Sequence, residues 1–542
     1  MTKPEIIELS QEEIDALLER VESDTLQPGD YKVIKGMAET IAYLSHLSEQ
    51  KGVQVARLLR ALFGSKSEKR ETILEESEKQ ETQPKNLDPS SGSEGDNTEK
   101  KRKGHGRRPA SDYAGAETVE VKHAELKAGD DCPKCDGGTL YEQTPGLVVR
   151  VKAASPFTAS IHELEKFRCG LCGAIFTAKP PADIGSKKYD ESVGSLIAVL
   201  KYGAGMPFYR LAKLQDGFGV PLPSSTQWEI LDETKKIIEP AYEELFREGA
   251  QGSVVYNDDT TVRILELMGK RLEKMRDPPE RTGLYTTGII SEIEGRKIAL
   301  YFSANRHVGE NLAKVLALRD AWRGPPIQMS DGLKHNRLEG TDTIVSNCLA
   351  HGRRRFLDLF ENFPDEVRHI IDIFAEVYKV ETVAREKQLD DHARLELHQR
   401  DSAPLMDDLE RWLHDLFAEK KVEPNSQLGE AIKYVTKRWD SLTLFLRKPG
   451  APLDNNICER ALKKAILNRK NSLFFKTRYG AQVGDLFLSL IHTAELCGAN
   501  PFEYLNALQL NSDALRRDPA AWMPWNYRGA LETTSRTGKM LS

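Results

Sequence analysis

Three carboxylates and two pairs of thiols have residue types and spacings that could do chemistry in this chain. Glu459 lies in Leu453-Asp454-Asn455-Asn456-Ile457-Cys458-Glu459-Arg460-Ala461-Leu462. Short polar side chains after Pro452 can accept from the free N–H groups of a helix start. Ala461, Leu462, Ala465 and Ile466 then give the helix an apolar stripe with Glu459 on its margin. Arg460, Lys463, Lys464, Arg469 and Lys470 follow. A lone carboxylate on a basic helix edge points to a metal ligand beside a polyanion. The spacing Asn456-x-x-Glu459 also fits a capping box, in which the glutamate only reaches back to the N-cap amide. The choice turns on whether the chain supplies partners for Glu459.

Two aspartates qualify. Asp258 lies in a strand-like run that starts at Val254, and Asp331 follows another short run at 326–329. Three hard oxygen ligands suit Mg²⁺ or Mn²⁺, which are held by a few carboxylates plus substrate phosphate. Two such ions about 4 Å apart can activate a water or 3′-hydroxyl and stabilise the leaving oxygen at phosphorus. Neighbouring residues on a strand face opposite ways, so only one of Asp258 and Asp259 should be a ligand. The thiols form Cys132-x-x-Cys135 and Cys169-x-x-Cys172, each on a glycine-rich knuckle that can wrap a tetrahedral ion. With strand-like runs at 146–153 and 160–167 between them, they predict a ribbon holding structural Zn²⁺. Four thiolates leave no open position for catalysis, and redox use of a single pair is the alternative.

The elements that must position these groups follow in order. Residues 1–76 read as helical, with Ile34, Met37, Ile41, Leu44, Val55, Leu58 and Leu62 on a heptad seam. That seam fits a coiled coil that joins copies of the chain, or a hairpin packed on its own domain. Residues 77–111 are polar and predict a disordered linker ending in a basic run with Lys101, Arg102, Lys103, Arg107 and Arg108, suited to phosphate contact. The zinc ribbon spans 112–185, and 186–250 read as helices in a helix-turn-helix-like layout, or as a plain three-helix linker. Strands at 254–265, 282–292 and 297–303, a helix, then strands at 326–329 and 343–348 are in the order of a ribonuclease-H-like core over 251–356. In such a sheet the first and fourth strands are neighbours, so Asp258 and Asp331 can meet. Residues 357–450 predict an all-helical insertion, 451–495 the helix that brings back the third carboxylate, and 496–542 a helical tail. The fold class is therefore multidomain α+β: a ribonuclease-H-like α/β catalytic core with an all-α insertion, preceded by a zinc ribbon and helical N-terminal regions.

The 542 residues suffice for about three or four domains. With 39% hydrophobic and 30% charged residues and a net charge of −6, the chain reads as soluble and globular, and nucleic acid would have to meet local basic patches. No run approaches the ~20 apolar residues of a membrane span, and no signal pattern opens the chain, so a cytoplasmic protein with no membrane partner is expected.

Several blocks together resemble transposases of the IS66 insertion-sequence family, nearly end to end. The family's Phe-Gly-x-x-Ser-Glu-Lys is similar to residues 63–69, and its Gly-His-Gly-Arg-Arg-Pro to 104–109. Its thiol pairs match Cys132, Cys135, Cys169 and Cys172, and its Lys-Tyr and Pro-Phe/Leu-Tyr-Arg blocks match Lys201-Tyr202 and 207–210. Further blocks fall at 328–332, 348–356, 454–462, 468–471 and 489–494. The resemblance implies DDE transposition: metal-dependent DNA strand cleavage and strand transfer at terminal inverted repeats. Asp258, Asp331 and Glu459 would be the triad holding two Mg²⁺ or Mn²⁺ ions, with structural Zn²⁺ in the ribbon. Its partners would be terminal-repeat and target DNA, a second copy of the chain, and possible element-encoded accessory proteins. The family more often has His-Ala-Asp-Glu-Thr where this chain has Tyr256-Asn257-Asp258-Asp259-Thr260, and here one more residue separates Gln328 from Asp331.

Arg353, Arg354, Arg355, Arg460, Lys463, Lys464, Arg469, Lys470, Lys476 and Arg478 flank the proposed triad and would contact phosphates. Cys348-x-x-His351 reads as a structural element near the site rather than a zinc site, because two ligands leave such a site half built. Trp412 and Trp439 in the insertion read as packing residues, the alternative being a stack for an unpaired base. A DNA-binding relative without catalysis and a nuclease that cuts without joining are the rival functions.

Overall fold

The computed structural model describes residues 154–169, 175–181, 187–268, 281–337 and 342–540, with short pieces at 20–21, 29–33 and 127–130 and isolated positions besides. Lys101, Arg102, Lys103, Arg107, Arg108, Cys132, Cys135 and all seven residues of the heptad seam lie outside the described residues. The chain divides into two units, 1–93 and 94–542. In the first, Arg20 donates to both carboxylate oxygens of Asp30 at 3.0 Å.

In the second unit, β1 (Lys166–Arg168) and β2 (Ile175–Thr177) form an antiparallel hairpin with Phe167 opposite Phe176. Cys169 and Cys172 fall between these two strands, the first of which starts later than the predicted run. Three helices follow: α1 (Glu191–Ala198), capped by the Asp190 carboxylate and continued by a π turn, α2 (Phe208–Gly217) and α3 (Ser224–Ala250). Leu231, Ile238, Ala241 and Leu245 recur at helical spacing along α3 and are fully buried. They share one apolar core with the sheet, so the 186–250 helices pack as part of the central body.

The sheet has five strands: β3 (Val254–Thr261), β4 (Tyr285–Ile293), β5 (Arg296–Ala304), β6 (Ile327–Ser330) and β7 (Ile344–Asn347). Their order is β5-β4-β3-β6-β7. Strands β3, β4 and β5 are antiparallel, while β6 and β7 run parallel to β3. The β4–β5 hairpin turns on Glu294 and Gly295, both at positive φ (50° and 76°), as a two-residue loop of matching twist requires. A crossover through α4 (Val308–Leu316) makes the parallel β6 possible.

After β7 come α5 (Leu349–Leu357) and the helical insertion, α6 (Pro364–Glu386), α7 (Asp391–Asp401), α8 (Ala403–Ala418), α9 (Gln427–Thr436) and α10 (Trp439–Leu442). Trp439 is buried and Trp412 lies against the His369 ring at 4.5 Å, so both pack as the amphipathic pattern predicts. The chain then returns to the sheet with α11 (Asn456–Ser472) and α12 (Arg478–Leu496), followed by α13 (Pro501–Leu510), α14 (Ser512–Arg517) and α15 (Tyr527–Met540).

Strand β5 is at the sheet edge, and its free N–H groups are closed by side chains of α12 spaced one turn apart. Ser303, Tyr301 and Ala299 donate their backbone N–H to Asp485, Ser489 and Thr493 at 2.6, 3.0 and 3.0 Å. Helical spacing of four residues thus matches strand spacing of two. Burial pushes the Asp485 carboxyl from its ordinary 3.8 up to about 7, against the two hydrogen bonds from Ser303 that favour the anion. The folded state therefore holds this proton more tightly than the unfolded chain. Its stabilising effect is complete below about 3.8 and lost as pH rises to about 7. In urea titrations at pH 5 and pH 8, the wild-type midpoint should fall more than that of Asp485→Asn, which has no proton to lose. Parallel behaviour of the two proteins would show that Asp485 stays ionised.

Candidate active site

Side chains alternate along β3, so Asp258 and Asp259 face opposite sides of the sheet. Asp258 sits across from Gly288 of β4, and α11 covers that side. A Cβ at Gly288 would lie 3.0 Å from Leu462 of α11, and the Cys458 thiol donates to the Gly288 carbonyl at 3.3 Å. The missing side chain lets the helix settle on the strand and carries Glu459 toward Asp258. Asp331 follows β6, whose parallel register pairs Tyr256 with Met329 and brings its C-terminal end beside β3. Its carboxylate accepts from Leu333 N–H at 3.1 Å and from the Asn336 side chain, while Tyr434 donates to its carbonyl at 2.7 Å. The Tyr434 ring lies between Arg355 and Arg438, at 3.8 and 4.2 Å.

The three carboxylates share one field. The Asp258 carboxyl is raised to about 7, first by burial and then by repulsion from Asp331, Asp259 and Glu459, against a hydrogen bond from Asp259 N–H at 2.8 Å. Glu459 makes no capping box: the N-cap is Asn455, without a side-chain cap bond, and Glu459 Oε1 is buried with no hydrogen-bond partner. Asp454 accepts from Asn456 N–H at 3.1 Å instead. Glu459 Oε1 faces His351 Nδ1 at 3.6 Å, and Cys348 completes a group whose ligand atoms lie within 4.8 Å of one another. The Cys348 thiol, pushed by burial up to about 12, accepts from Asn455 N–H at 3.2 Å, which ties the helix start to the end of β7.

A buried amide network escaped the sequence reading. Asn257 donates to the Asn336 carbonyl at 3.0 Å, Gln328 donates to the same carbonyl at 2.7 Å and to Asn257 at 3.0 Å, and Asn455 donates to the Asn257 carbonyl at 3.2 Å. It locks β3, β6, the turn after Asp331 and the start of α11 together. Amides inside apolar strand runs were its only sequence signal.

The basic residues divide by contact. Arg460, Lys463 and Lys470 are exposed on one stripe of α11. Arg469 instead donates to Thr260 and Thr261 at the end of β3, and Lys464 pairs with Glu495 at 2.6 Å. Arg354 is exposed, and Arg353 lies over the Tyr378 ring at 5.8 Å.

The sequence pattern of the family described as Transposase IS66 family matches residues 187–483, from just before α1 into the first turns of α12. The chain belongs to the IS66 transposase family. The matched span takes in Asp258, Asp331, Glu459 and the insertion between them. The IS66 chain is also 25% identical over 384 residues to the uncharacterized protein y4jD of Sinorhizobium fredii, covering 67% of this chain and 71% of the relative. The uncharacterized protein y4hP of the same organism is 25% identical over 442 residues, 77% of each chain. Membership of the IS66 family makes this a DNA-processing, DNA-binding protein. No helix among the described residues is long and apolar enough to cross a membrane.

Proposed function

We propose that this IS66 protein is a DDE transposase that cleaves DNA at terminal inverted repeats and joins the ends to target DNA, with Asp258, Asp331 and Glu459 as ligands of two Mg²⁺ or Mn²⁺ ions. The observation that carries the reading is the shared field. The Asp258 carboxyl is raised first by burial and then by repulsion from Asp331 and Glu459 on separate elements, and Glu459 has a buried oxygen without a partner. Such a cluster calls for cations. The order β5-β4-β3-β6-β7, with β3 parallel to β6, supports a ribonuclease-H-like core, in which strands one and four place their carboxylates together.

Bound there, the ions would polarise the scissile phosphate and ionise the attacking water or 3′-hydroxyl. The protein's own part is placement. The amide network and Tyr434 fix Asp331, and the Gly288 contact sets the distance from α11 to β3. The exposed stripe Arg460, Lys463 and Lys470 would hold the DNA backbone beside the carboxylates, and Arg353 and Arg354 would extend that contact. Arg469 would act through the strand end it binds. Further proposals are Lys101, Arg102, Lys103, Arg107 and Arg108 as phosphate contacts, structural Zn²⁺ on Cys132, Cys135, Cys169 and Cys172, a working dimer or larger assembly, and a cytoplasmic location.

The test incubates the full chain with Mg²⁺, duplexes carrying the terminal repeats that flank its reading frame, and a target plasmid. Nicked donor ends and joined donor–target products are expected. Nicked products alone would mean a nuclease, and bound but uncut DNA even with Mn²⁺ would mean a relative without catalysis.

A further inference from the structure

The other face of β3 carries a second donor cluster. We propose that Asp259, His307 and His335 form a separate divalent-metal site, built for Zn²⁺, on the side of the sheet away from Glu459. The ligand atoms of the three residues lie within 4.8 Å of one another. Asp259 Oδ2 and His307 Nδ1 are both buried without a hydrogen-bond partner and stand 3.8 Å apart. That gap is too wide for a hydrogen bond. It is close to the ~3.5 Å expected between two ligands each about 2.0–2.2 Å from one Zn²⁺.

Three elements supply the ligands, and each is held in place. Asp259 is on β3, paired with Thr287 of β4. His307 is the N-cap of α4; its backbone N–H donates to Glu310 at 2.9 Å, and its ring lies between those of Tyr285 and His335, at 4.8 and 5.0 Å. His335 sits in the 3₁₀ turn Lys334–Asn336, which the Asn336 carbonyl anchors to Asn257 and Gln328. Two imidazoles and a carboxylate favour Zn²⁺ over Mg²⁺, in contrast to the all-oxygen set of Asp258, Asp331 and Glu459. Three protein ligands leave a fourth position for water, and the exposed His335 opens that position to solvent. The ion would clip the turn after Asp331 to β3 and to the start of α4.

Metal content tests this without DNA, so the result is independent of the joining reaction. The full chain is loaded with Zn²⁺, desalted and analysed for zinc, beside His335→Ala, whose exposed side chain can be removed without disturbing the core, and His307→Gln. Each variant is expected to lose one equivalent of Zn²⁺ relative to wild type. With Co²⁺ as the probe, the variants should lose absorption from nitrogen and oxygen ligation but keep any thiolate-to-cobalt band from cysteine sites. Zn²⁺ should raise the melting temperature of wild type more than that of His335→Ala. Equal zinc content and identical Co²⁺ spectra in wild type and His335→Ala would overturn the site.

Discussion

Glu459→Gln is expected to lower Mg²⁺-dependent joining of DNA ends by on the order of a thousand-fold or more, a loss of about 4 kcal/mol of transition-state stabilisation. Binding to the same ends at the same salt should be unchanged, because the exposed stripe Arg460, Lys463 and Lys470 is left intact. The amide keeps the shape of the side chain and removes only its charge and one acceptor. Asp331→Asn and Asp258→Asn should give losses of the same order, since each removes a ligand from the same cluster. The two neighbours on β3 can be told apart in this assay. Joining that survives in Asp258→Asn but not in Asp259→Asn would transfer the ligand role to Asp259. Joining by Glu459→Gln at wild-type rate would remove the glutamate from the mechanism altogether.

Gly288→Val should disable the same site from a distance. An added Cβ meets Leu462 at 3.0 and 3.2 Å, inside the range where a neighbour must yield, and valine adds two more carbons. Overpacking of this kind costs roughly 1–3 kcal/mol and forces Leu462, and the helix that carries it, away from β4. Glu459 moves with that helix, so joining should fall at least ten-fold while the protein remains folded. A second change separates displacement from general damage. Leu462→Ala in the Gly288→Val background empties the space the valine needs and should restore part of both the melting temperature and the joining rate. If Gly288→Val alone joined ends normally, close seating of α11 on β4 would not matter to the site.

Much of this was legible before the fold was known. Apolar alternation and turn residues located the five strands, and helical spacing marked the insertion and the long helix from Asn456, to within a few residues. Those signals are local, carried by periodicity and by capping chemistry within one element. For the same reason the order of elements, and with it two neighbouring strands whose C-terminal ends carry Asp258 and Asp331, could be anticipated from the sequence alone.

The rest depended on contacts between distant residues. Glu459 could be a cap or a ligand while only its own helix was considered. The tertiary structure decided against the cap, because the N-cap is Asn455, one residue earlier than a capping box needs, and the glutamate oxygen is buried with no partner. The aspartate pair was ambiguous for the same reason: alternation requires that they face apart, but which side meets α11 depends on the packing of Cys458 and Leu462 against Gly288. Arg469 and Arg460 look alike in the sequence, yet one is tied to the end of β3 and the other faces solvent. The amides of Asn257, Gln328 and Asn336 look like misplaced polar residues until their partners, up to 79 positions apart, close around one turn. Sequence by itself determined which groups could do chemistry and on which elements they ride. Only the folded chain decided which of them share a face, because burial and charge act between neighbours in space.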